Sequence, residues 1–366
     1  MRHDDHSDSQ DLLIISAVPR LSKVGCQKED PMSNPQPDHN AAALRCFEET
    51  ALHAVRRLSG AQKSILLAVS GGADSTALML VLARHAERLA MRVEVATLDH
   101  GLRAESSAEA AGVIHRAQSL GLVAHARRLS LFDGAGLEQR ARDARYPELA
   151  AIKNERGLEL IATAHTASDQ AETVLMRLAR GSALGGASAI HARLGGVIRP
   201  LLSLTRDQVR SYLAALNEPF IEDPMNVDPR FLRVRVRREL LPLFESTAGP
   251  KVAEHLARFA QYAGEDEALL EQWATAALHR VSRSGTLDAI GLGALSRPIQ
   301  RRVIAQWLSG NKLEVDAPLI EDILEAVSQG RPATLPRELW LVNREGWLSA
   351  EPAALRNLHP ATGTGA

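Results

Sequence analysis

Between residues 64 and 180 the sequence alternates short apolar runs with longer segments of helical periodicity. The apolar runs are Ile65–Val69, Val93–Leu98, Leu122–Leu129 and Leu158–Thr163. The helical segments are Thr76–Leu89, Ser106–Leu120, Leu137–Asn154 and Ser168–Arg180. Strands joined by helices of this length predict an α/β fold, a doubly wound parallel sheet with helices on both faces. Ligands of such sheets bind at the carboxyl ends of the strands, so polar residues after each apolar run are candidates for a site.

The rest of the 366-residue chain differs in character from this region. Residues 1–40 are polar and contain proline, which predicts a disordered tail, and Met32 is an alternative start to Met1. We expect the sheet to belong to a first domain over 41–245. A smaller, mostly helical domain over 246–350 and a disordered tail over 351–366 should follow. The predicted elements of the second domain are helices and a final strand pair, at Val252–Val281, Ile299–Leu308, Pro318–Val327 and Leu339–Leu348.

The composition restricts the compartment and the partners. No stretch reaches the roughly 20 apolar residues of a membrane span, and the polar N-terminus does not resemble a secretory signal. The two cysteines, Cys26 and Cys46, form no C-x-x-C pair, which argues against a structural metal or a catalytic disulfide. We therefore expect a cytoplasmic protein with no membrane partner. The net charge of −1 does not exclude RNA, because phosphate contacts depend on local basic patches.

The first apolar run leads into a glycine-containing loop, Ser70-Gly71-Gly72-Ala73-Asp74-Ser75, and a helix follows. Adjacent glycines let the backbone adopt positive φ values and approach a ligand closely. Successive N–H groups, reinforced by the N-terminus of the helix, then form a site for phosphate. The loop is neither a Walker A loop nor G-x-G-x-x-G. An ordinary strand-to-helix turn, with Asp74 or Ser75 as the N-cap, is the alternative.

Further polar motifs follow the later strands in a fixed order. They are Asp99-His100-Gly101-Leu102-Arg103, Glu138-Gln139-Arg140-Ala141-Arg142 with Arg145-Tyr146, Ala162-Thr163-Ala164-His165, Asp169-Gln170-Ala171-Glu172-Thr173, Arg199-Pro200-Leu201-Leu202, Glu222-Asp223-Pro224-Met225-Asn226 and Arg230-Phe231-Leu232-Arg233. The glycine loop matches the PP-loop of the N-type ATP pyrophosphatases. The order and spacing of the motifs resemble tRNA(Ile)-lysidine synthetase over residues 61 to about 245. The second domain resembles that family in size and helical character alone.

The resemblance implies an ATP-dependent ligase that requires Mg²⁺. In that family the C2 oxygen of the wobble cytidine of tRNA(Ile), whose anticodon is CAU, attacks the α-phosphate of ATP. An adenylated base and pyrophosphate result, and free L-lysine then displaces AMP to leave lysidine. The resemblance also implies that 41–245 is the PP-loop catalytic domain and that 246–350 is a tRNA-binding or linker domain. The oligomeric state stays open, with a homodimer as one alternative.

Carboxylates after the fourth predicted strand are candidates for the second step. Asp169 and Glu172 lie at i and i+3, on one helix face. They would recognise a cationic lysine or accept a proton from its amine, whose deprotonation at neutral pH requires on the order of 4–5 kcal/mol. Alternatively, Thr166 and Asp169 form a capping box, with Glu172 merely favourable in the first turn. The residues to which we assign catalytic roles are Asp74, Arg142, Asp169 and Glu172.

The resemblance assigns the ATP contacts to the glycine loop, with Asp74 as the Mg²⁺ contact, and to two histidines. These residues are Ser70, Gly71, Gly72, Ala73, Asp74, Ser75, His100 and His165. Thr166 stands where the family often has a second His or Asn, and Val234 where it has Asn. The arginine-rich segment 230–238 is suited to backbone phosphates, with Phe231 as a stacking surface, although it could be an ordinary solvated face. The predicted tRNA contacts are Arg145, Arg199, Arg230, Phe231, Arg233 and Arg237.

Other functions compete with this interpretation. A tRNA thiolase usually has Lys where Ala73 stands and uses cysteines near its site, whereas Cys26 and Cys46 both precede the loop. A small-molecule amide ligase such as an NAD synthetase explains the loop but neither the arginines nor the second domain. A nucleotide-binding regulator with a degenerate site conflicts with the intact loop and carboxylates.

Overall fold

The computed structural model describes residues 37–99, 101, 105–129, 137–222, 228 and 230–352, without the side chains of 37–39 and 137–143. The first helix, α1, begins at Pro37, inside the segment assigned to the N-terminal tail. The remainder of that tail, residues 1–36, and residues 353–366 of the C-terminal tail lie outside the described residues.

A six-stranded sheet organises the first domain. Its strands are β1 (Ser64–Ala68), β2 (Arg92–Asp99), β3 (Val123–Arg128), β4 (Leu160–Ala162), β5 (Arg193–Leu194) and β6 (Val197–Ile198). Their order is β3-β2-β1-β4-β6-β5, and every pairing is parallel except that of β5 with β6. The predicted parallel α/β fold is confirmed, and the four predicted strands correspond to β1 to β4.

Helices cover both faces of this sheet. They are α1 (Pro37–Ser59), α2 (Ala73–Leu89), α3 (Ser106–Ser119), α4 (Leu137–Glu155), α5 (Ala167–Ala179), α6 (Leu184–Ala187) and α7 (Arg206–Ala215). Successive residues of β1 point to opposite faces. Leu67 therefore joins a core with side chains of α1, α2 and α7, whereas Leu66 packs with Leu149 and Ile152 of α4. Because the helices cover the two faces, a ligand site is expected at the carboxyl edge of the sheet.

An α-helical segment and a smaller sheet make up the rest of the described chain. The helices are α8 (Leu232–Arg235), a π-helix (Val236–Leu240), α9 (Leu241–Ala248), α10 (Val252–Val281), α11 (Ala289–Gly293), α12 (Arg297–Gly310) and α13 (Ala317–Ser328). The strands are β7 (Ser282–Arg283), β8 (Thr286–Asp288), β9 (Ala333–Leu335), β10 (Leu339–Arg344) and β11 (Trp347–Pro352), in the antiparallel order β7-β8-β11-β10-β9. The predicted final strand pair is β10 and β11, while β7 to β9 were not predicted. No helix of the described ranges has the length and apolar character needed to cross a bilayer.

The long helix α10 joins the two halves of the structure. Near its N-terminus, Ala253 packs with Ala171 of α5, and Ala260 packs with Val174 of the same helix. Near its C-terminus, Ala274, Ala277 and Val281 belong to the core of the second domain. Small side chains at the contact with α5 let the two helices approach closely. Packing against α10 therefore helps to fix the position of α5.

A buried carboxylate anchors the end of α4 to the sheet. Glu94 of β2 is 2% exposed. It accepts hydrogen bonds from Arg92, from His125 Nε2 at 2.7 Å and from Arg156 Nε at 3.0 Å. Burial opposes its ionisation, but the hydrogen bonds from Arg156, His125 and Arg92 outweigh burial and lower the pKa of Glu94 to about 2.

We expect Glu94→Gln to lower the melting temperature at pH 7, since it removes about 1–3 kcal/mol of charge-assisted hydrogen bonding. The folded-state pKa of about 2 lies below the ordinary 4.5, so this stabilisation is complete above pH 4.5 and declines as the pH falls toward 2. Thermal unfolding at pH 7 and pH 3 should show a smaller gap at pH 3. Glu155→Gln, which removes an exposed ion pair with Arg127 at the end of α4, is the control and should barely change either value. A gap that does not depend on pH would contradict this account.

Candidate active site

The glycine loop lies at the carboxyl end of β1, as expected. Gly71 has a φ of +83°, and its carbonyl oxygen accepts a hydrogen bond from the N–H of Ile221 at 2.9 Å. The backbone conformation favours glycine, and a Cβ atom on Gly71 would lie 2.7 Å from Cδ1 of Ile221, so the end of that side chain would have to move. Gly72 is the N-cap of α2. The first N–H groups of that helix therefore face the loop without intrahelical partners, which is the arrangement that binds phosphate.

Serine and threonine hydroxyls hold the loop in this shape. Ser75 Oγ accepts from the N–H of Ser70 at 3.2 Å and donates to the carbonyl of Gly72 at 3.0 Å. Thr76 Oγ1 donates to the carbonyl of Gly71 at 3.2 Å. The Ser70 side chain is exposed at the mouth of the loop, whereas Ser75 is buried beneath it. The two hydroxyls also lie 3.3 Å apart, within hydrogen-bond distance, so Ser75 holds the turn while the exposed Ser70 hydroxyl can still be reached by a ligand.

Asp74 presents a buried oxygen in the first turn of α2. Its Oδ1 atom is inaccessible to solvent and has no hydrogen-bond partner in the described residues. Burial, and then the negative charge of Asp169, raise the pKa of Asp74 to about 7, although Arg206 and Arg237 partly offset the rise. A buried carboxylate oxygen without a partner is costly, and a bound cation would relieve that cost.

The start of α5 brings Asp169 and Glu172 to the same place. Thr166 caps the helix: the N–H of Thr166 donates to Asp169 Oδ2 at 2.9 Å, and Thr166 Oγ1 accepts from the N–H of Asp169. The predicted capping box is therefore present. It engages Oδ2 of Asp169, so Oδ1 remains for other contacts. Glu172, one turn later, is fully buried.

Three arginines surround these two carboxylates. Arg206 donates to Glu172 Oε1 at 3.2 Å and to Asp169 Oδ1 at 3.1 Å. Arg233 donates to Glu172 Oε2 at 2.8 Å and to Asp169 Oδ1 at 3.1 Å. Arg237 binds both oxygens of Glu172, at 2.7 and 3.1 Å. Arg233 and Arg237 lie four residues apart on α8 and the π-helix, so they present one face to α5.

The arginines favour the ionised form of Asp169. Burial opposes ionisation of Asp169, but the positive charges of Arg233, Arg206 and His165 outweigh it and hold the pKa of Asp169 well below its usual range. Three arginines face these two carboxylates, so within this set the basic side chains outnumber the acidic ones by one.

Two other predicted residues, His165 and Arg199, follow neighbouring strands of the sheet. His165 follows β4, and its Nδ1 lies 3.0 Å from Thr163 Oγ1. Arg199 follows β6 and is 7% exposed; it donates to the carbonyl of His191 at 2.7 Å and to the hydroxyl of Tyr146 at 3.4 Å. Its Nε has no hydrogen-bond partner among the described residues. Arg199 is thus buried, and its side chain links the carbonyl of His191 to Tyr146 of α4.

The remaining predicted contacts lie nearer the surface or outside the described residues. Arg145 is half-buried next to Tyr146 on α4. Arg230 is exposed and paired with Asp228, and Phe231 is half-buried at the N-cap of α8. His100 and the side chain of Arg142 lie outside the described residues.

Asp99, directly before His100, accepts hydrogen bonds from Ser106 and Ser107, which lower its pKa to about 2 and fix the start of α3.

Arg206 is the member of the cluster that sequence analysis missed. It is the first residue of α7 and follows Thr205, which forms a capping box with Gln208. The T-x-x-Q pattern at residues 205–208 marks a helix start and could have been found. The pattern does not reveal that the arginine at this start reaches two carboxylates 34 and 37 residues earlier in the chain.

Comparison with known proteins agrees with the geometry. The family model of the PP-loop domain matches residues 45–244. A tRNA(Ile)-lysidine synthase of Ralstonia nicotianae is 37% identical, with 75% of this chain and 62% of the relative covered. For the Thermus thermophilus enzyme the identity is 40%, with 77% and 55% covered, and for the Streptomyces coelicolor enzyme 39%, with 69% and 72% covered.

The matches cover different shares of the relatives' own lengths. The chain spans 62% and 55% of the length of the Ralstonia and Thermus proteins but 72% of the Streptomyces protein. A solved U34-tRNA thiolase from Methanococcus maripaludis aligns with 17% identity and a TM-score of 0.49, over 60% of this chain and 80% of that one, which is too distant to bear on function. The PP-loop domain match covers more than half of the chain, as does the Streptomyces relative. The chain belongs to the tRNA(Ile)-lysidine synthase family of PP-loop proteins.

Proposed function

We propose that this protein uses ATP to adenylate the C2 oxygen of the wobble cytidine of tRNA(Ile) with a CAU anticodon, and that free L-lysine then replaces AMP to give lysidine. The observation that carries the proposal is the placement of Asp74, Asp169 and Glu172 together, beside a phosphate loop and among three arginines. Membership of the tRNA(Ile)-lysidine synthase family supports the choice of RNA and lysine as substrates.

The loop is suited to the phosphates of ATP. The N–H groups of Gly72, Ala73 and Asp74 and the hydroxyl of Ser70 would hold them, and His100 and His165 complete the proposed ATP contacts. The unpartnered Oδ1 of Asp74 fits Mg²⁺, which is usually bound through one or two carboxylates together with substrate phosphates. A bound Mg²⁺ would neutralise charge on the pyrophosphate.

The arginines are suited to the first step. When the cytidine oxygen attacks the α-phosphate, a P–O bond forms, the bond to pyrophosphate breaks, and negative charge grows on the phosphate oxygens. Arg142 is our candidate for stabilising that charge. Arg145, Arg230 and Phe231 would contact the RNA, as would Arg233 and Arg237 when they leave the carboxylates.

Lysine transfer requires a change in this cluster. The nitrogen of the lysine amine attacks C2 of the adenylated base, the C–O bond to AMP breaks, and the amine loses a proton. Asp169 and Glu172 are our candidates for binding the ammonium form or taking that proton. In the described structure their oxygens are occupied by arginine donors, so the amine must replace at least one arginine.

The function is tested with purified protein, ATP, Mg²⁺, radiolabelled lysine and bulk bacterial tRNA. We expect label to enter tRNA and pyrophosphate to be released in an RNA-dependent manner. Label that enters from a sulfur donor instead would favour a thiolase, and ATP cleavage with ammonia but without RNA would favour an amide ligase. We infer a cytoplasmic enzyme, since tRNA, ATP and free lysine occur there together.

Gly71 and Gly72 provide a matched pair of variants. Gly71→Ala places a Cβ at φ +83° and against Ile221, so we expect it to destabilise the fold by about 1–3 kcal/mol and to abolish pyrophosphate release. Gly72→Ala has an ordinary φ of −69° and a nearest contact of 3.6 Å. It should keep the wild-type melting temperature and yet weaken ATP binding, because its methyl group lies where the phosphates approach. Thermal unfolding and calorimetry with ATP measure the two effects. Equal melting temperatures for the two variants would show that the loop conformation is not as described.

Asp74→Asn should separate stability from function. The folded-state pKa of about 7 lies above the ordinary 3.8, so ionised Asp74 destabilises the ligand-free fold increasingly as the pH rises from about 4 to 7. The variant should therefore melt at a higher temperature than wild type, with a larger gain at pH 8 than at pH 5.5. It should also lose at least about 100-fold in pyrophosphate release, because the Mg²⁺ contact is gone.

The control for this experiment is Asp207→Asn, an exposed acid in the first turn of α7. It should show neither the pH-dependent gain in melting temperature nor the loss of activity. A melting temperature of Asp74→Asn that stays at or below the wild-type value at pH 8 would show that Asp74 is not under electrostatic strain.

A further inference from the structure

The three arginines at the carboxylate pair are held in different ways. Arg206 stands at the first position of α7, and its backbone N–H donates to Ser168 Oγ, at the start of α5, at 3.1 Å. The adjacent residues are also joined, because the N–H of Ala167 donates to the carbonyl of Leu204 at 2.8 Å. The starts of α5 and α7 are thus fastened to each other. Arg206 is fixed relative to Asp169 and Glu172 by main-chain and side-chain contacts.

Arg233 and Arg237 belong to a different kind of segment. Their α8 and π-helix follow the turn at Asp228 and Arg230, and the same segment exposes Arg230, Arg235 and Arg238 to solvent. The π-helix is a hydrogen-bonding pattern of low intrinsic stability that often marks functional sites. The segment therefore presents arginines both to the carboxylates and to solvent, where the phosphates of an RNA would arrive.

The net charge of the cluster depends on which arginines remain paired with Asp169 and Glu172. Each arginine that leaves the carboxylates removes one positive charge from their surroundings. The departure of Arg233 and Arg237 therefore makes the site more favourable for a lysine ammonium group by two charges, while Arg206 remains. Arg206 bridges the two carboxylates through Nη1 and Nη2, so it would keep their relative orientation after Arg233 and Arg237 had turned away.

We propose that Arg206 is a positioning residue for the lysine-transfer step. It orients the carboxylates of Asp169 and Glu172 as a pair and keeps them close together, while Arg233 and Arg237 exchange their carboxylate contacts for RNA phosphates. The inference rests on the proposed function, because it takes lysine as the second substrate. It assigns Arg206 no contact with the reacting atoms.

The protein should tolerate the loss of this arginine. Glu172 would keep hydrogen bonds from Arg233 and Arg237, and Asp169 would keep those from Arg233 and its own helix cap. No buried charge would be left alone. Arg206→Gln and Arg206→Lys are therefore usable variants, and Arg210→Gln is the matched control. Arg210 lies one turn further along α7, where it pairs with the exposed Glu222.

The experiment measures three quantities for each full-length variant. These are the KM for lysine and the kcat of lysine incorporation at saturating ATP, Mg²⁺ and tRNA, the tRNA-dependent release of pyrophosphate without lysine, and the Kd for tRNA. For Arg206→Gln we expect the lysine KM to rise at least about 10-fold, while pyrophosphate release and tRNA affinity stay within about 3-fold of wild type. Arg206→Lys keeps the positive charge but not the planar guanidinium group with its paired donors. Its KM for lysine should therefore fall between those of wild type and Arg206→Gln. Arg210→Gln should match wild type.

Each outcome decides the matter. An unchanged lysine KM in Arg206→Gln, or an equal loss in all three quantities, would overturn the positioning role. If Arg206→Gln fails to fold by circular dichroism, Arg206→Lys decides: a raised lysine KM with normal pyrophosphate release supports the role, and a wild-type KM rejects it. Wild-type protein that puts no lysine into tRNA rejects the proposed function and this inference together. An active wild type with an unaffected Arg206→Gln rejects the inference alone.

Discussion

The burial of Glu172 and Asp169 is the constraint on which the site depends. An ionised carboxylate without partners in a protein interior is strongly unfavourable, so the surrounding structure must supply positive charge. Here it comes from two separate places in the chain, the start of α7 and the segment of α8 and the π-helix. The packing of these elements on α5 is therefore tied to the electrostatics of the site. Whatever alters the charge at the carboxylates also acts on the elements that carry the arginines.

Much of the first domain could be predicted from local patterns. The apolar runs over β1 to β4 and the periodic segments over α2 to α5 are signals contained within one element, and the glycine pair at 71–72 marks the loop because φ +83° is accessible to few other residues. The short strands β7, β8 and β9 were missed because runs of two or three residues carry no period. β8 pairs with β11, β9 pairs with β10, and β7 pairs with β8, so the information that forms these strands lies outside each of them.

Most residues of the candidate site could be predicted from the sequence, whereas most of the contacts between them could not. For Asp169 a helix cap and a role in binding lysine were treated as alternatives. In the structure one carboxylate oxygen caps α5, and the other accepts hydrogen bonds from arginines that the sequence did not connect to it. Arg233 and Arg237 were assigned to RNA from the local density of basic residues. Their pairing with Glu172 spans 61 and 65 residues of sequence and leaves no local trace. Arg206 is separated from its partners in the same way, and a single sequence offers no means of connecting them.

The helix α10 has a mechanical consequence. At one end it packs on α5, the helix that carries Asp169 and Glu172, and at the other end it contributes to the core of the second domain. With 30 residues it measures about 45 Å, and each residue advances the helix by about 1.5 Å and turns it by about 100°. Its length therefore sets both the distance and the angle between the two cores. Insertion or deletion of a single residue in its middle would swing the whole distal domain around the axis, whereas exchanges of side chains on its exposed face would leave that alignment intact.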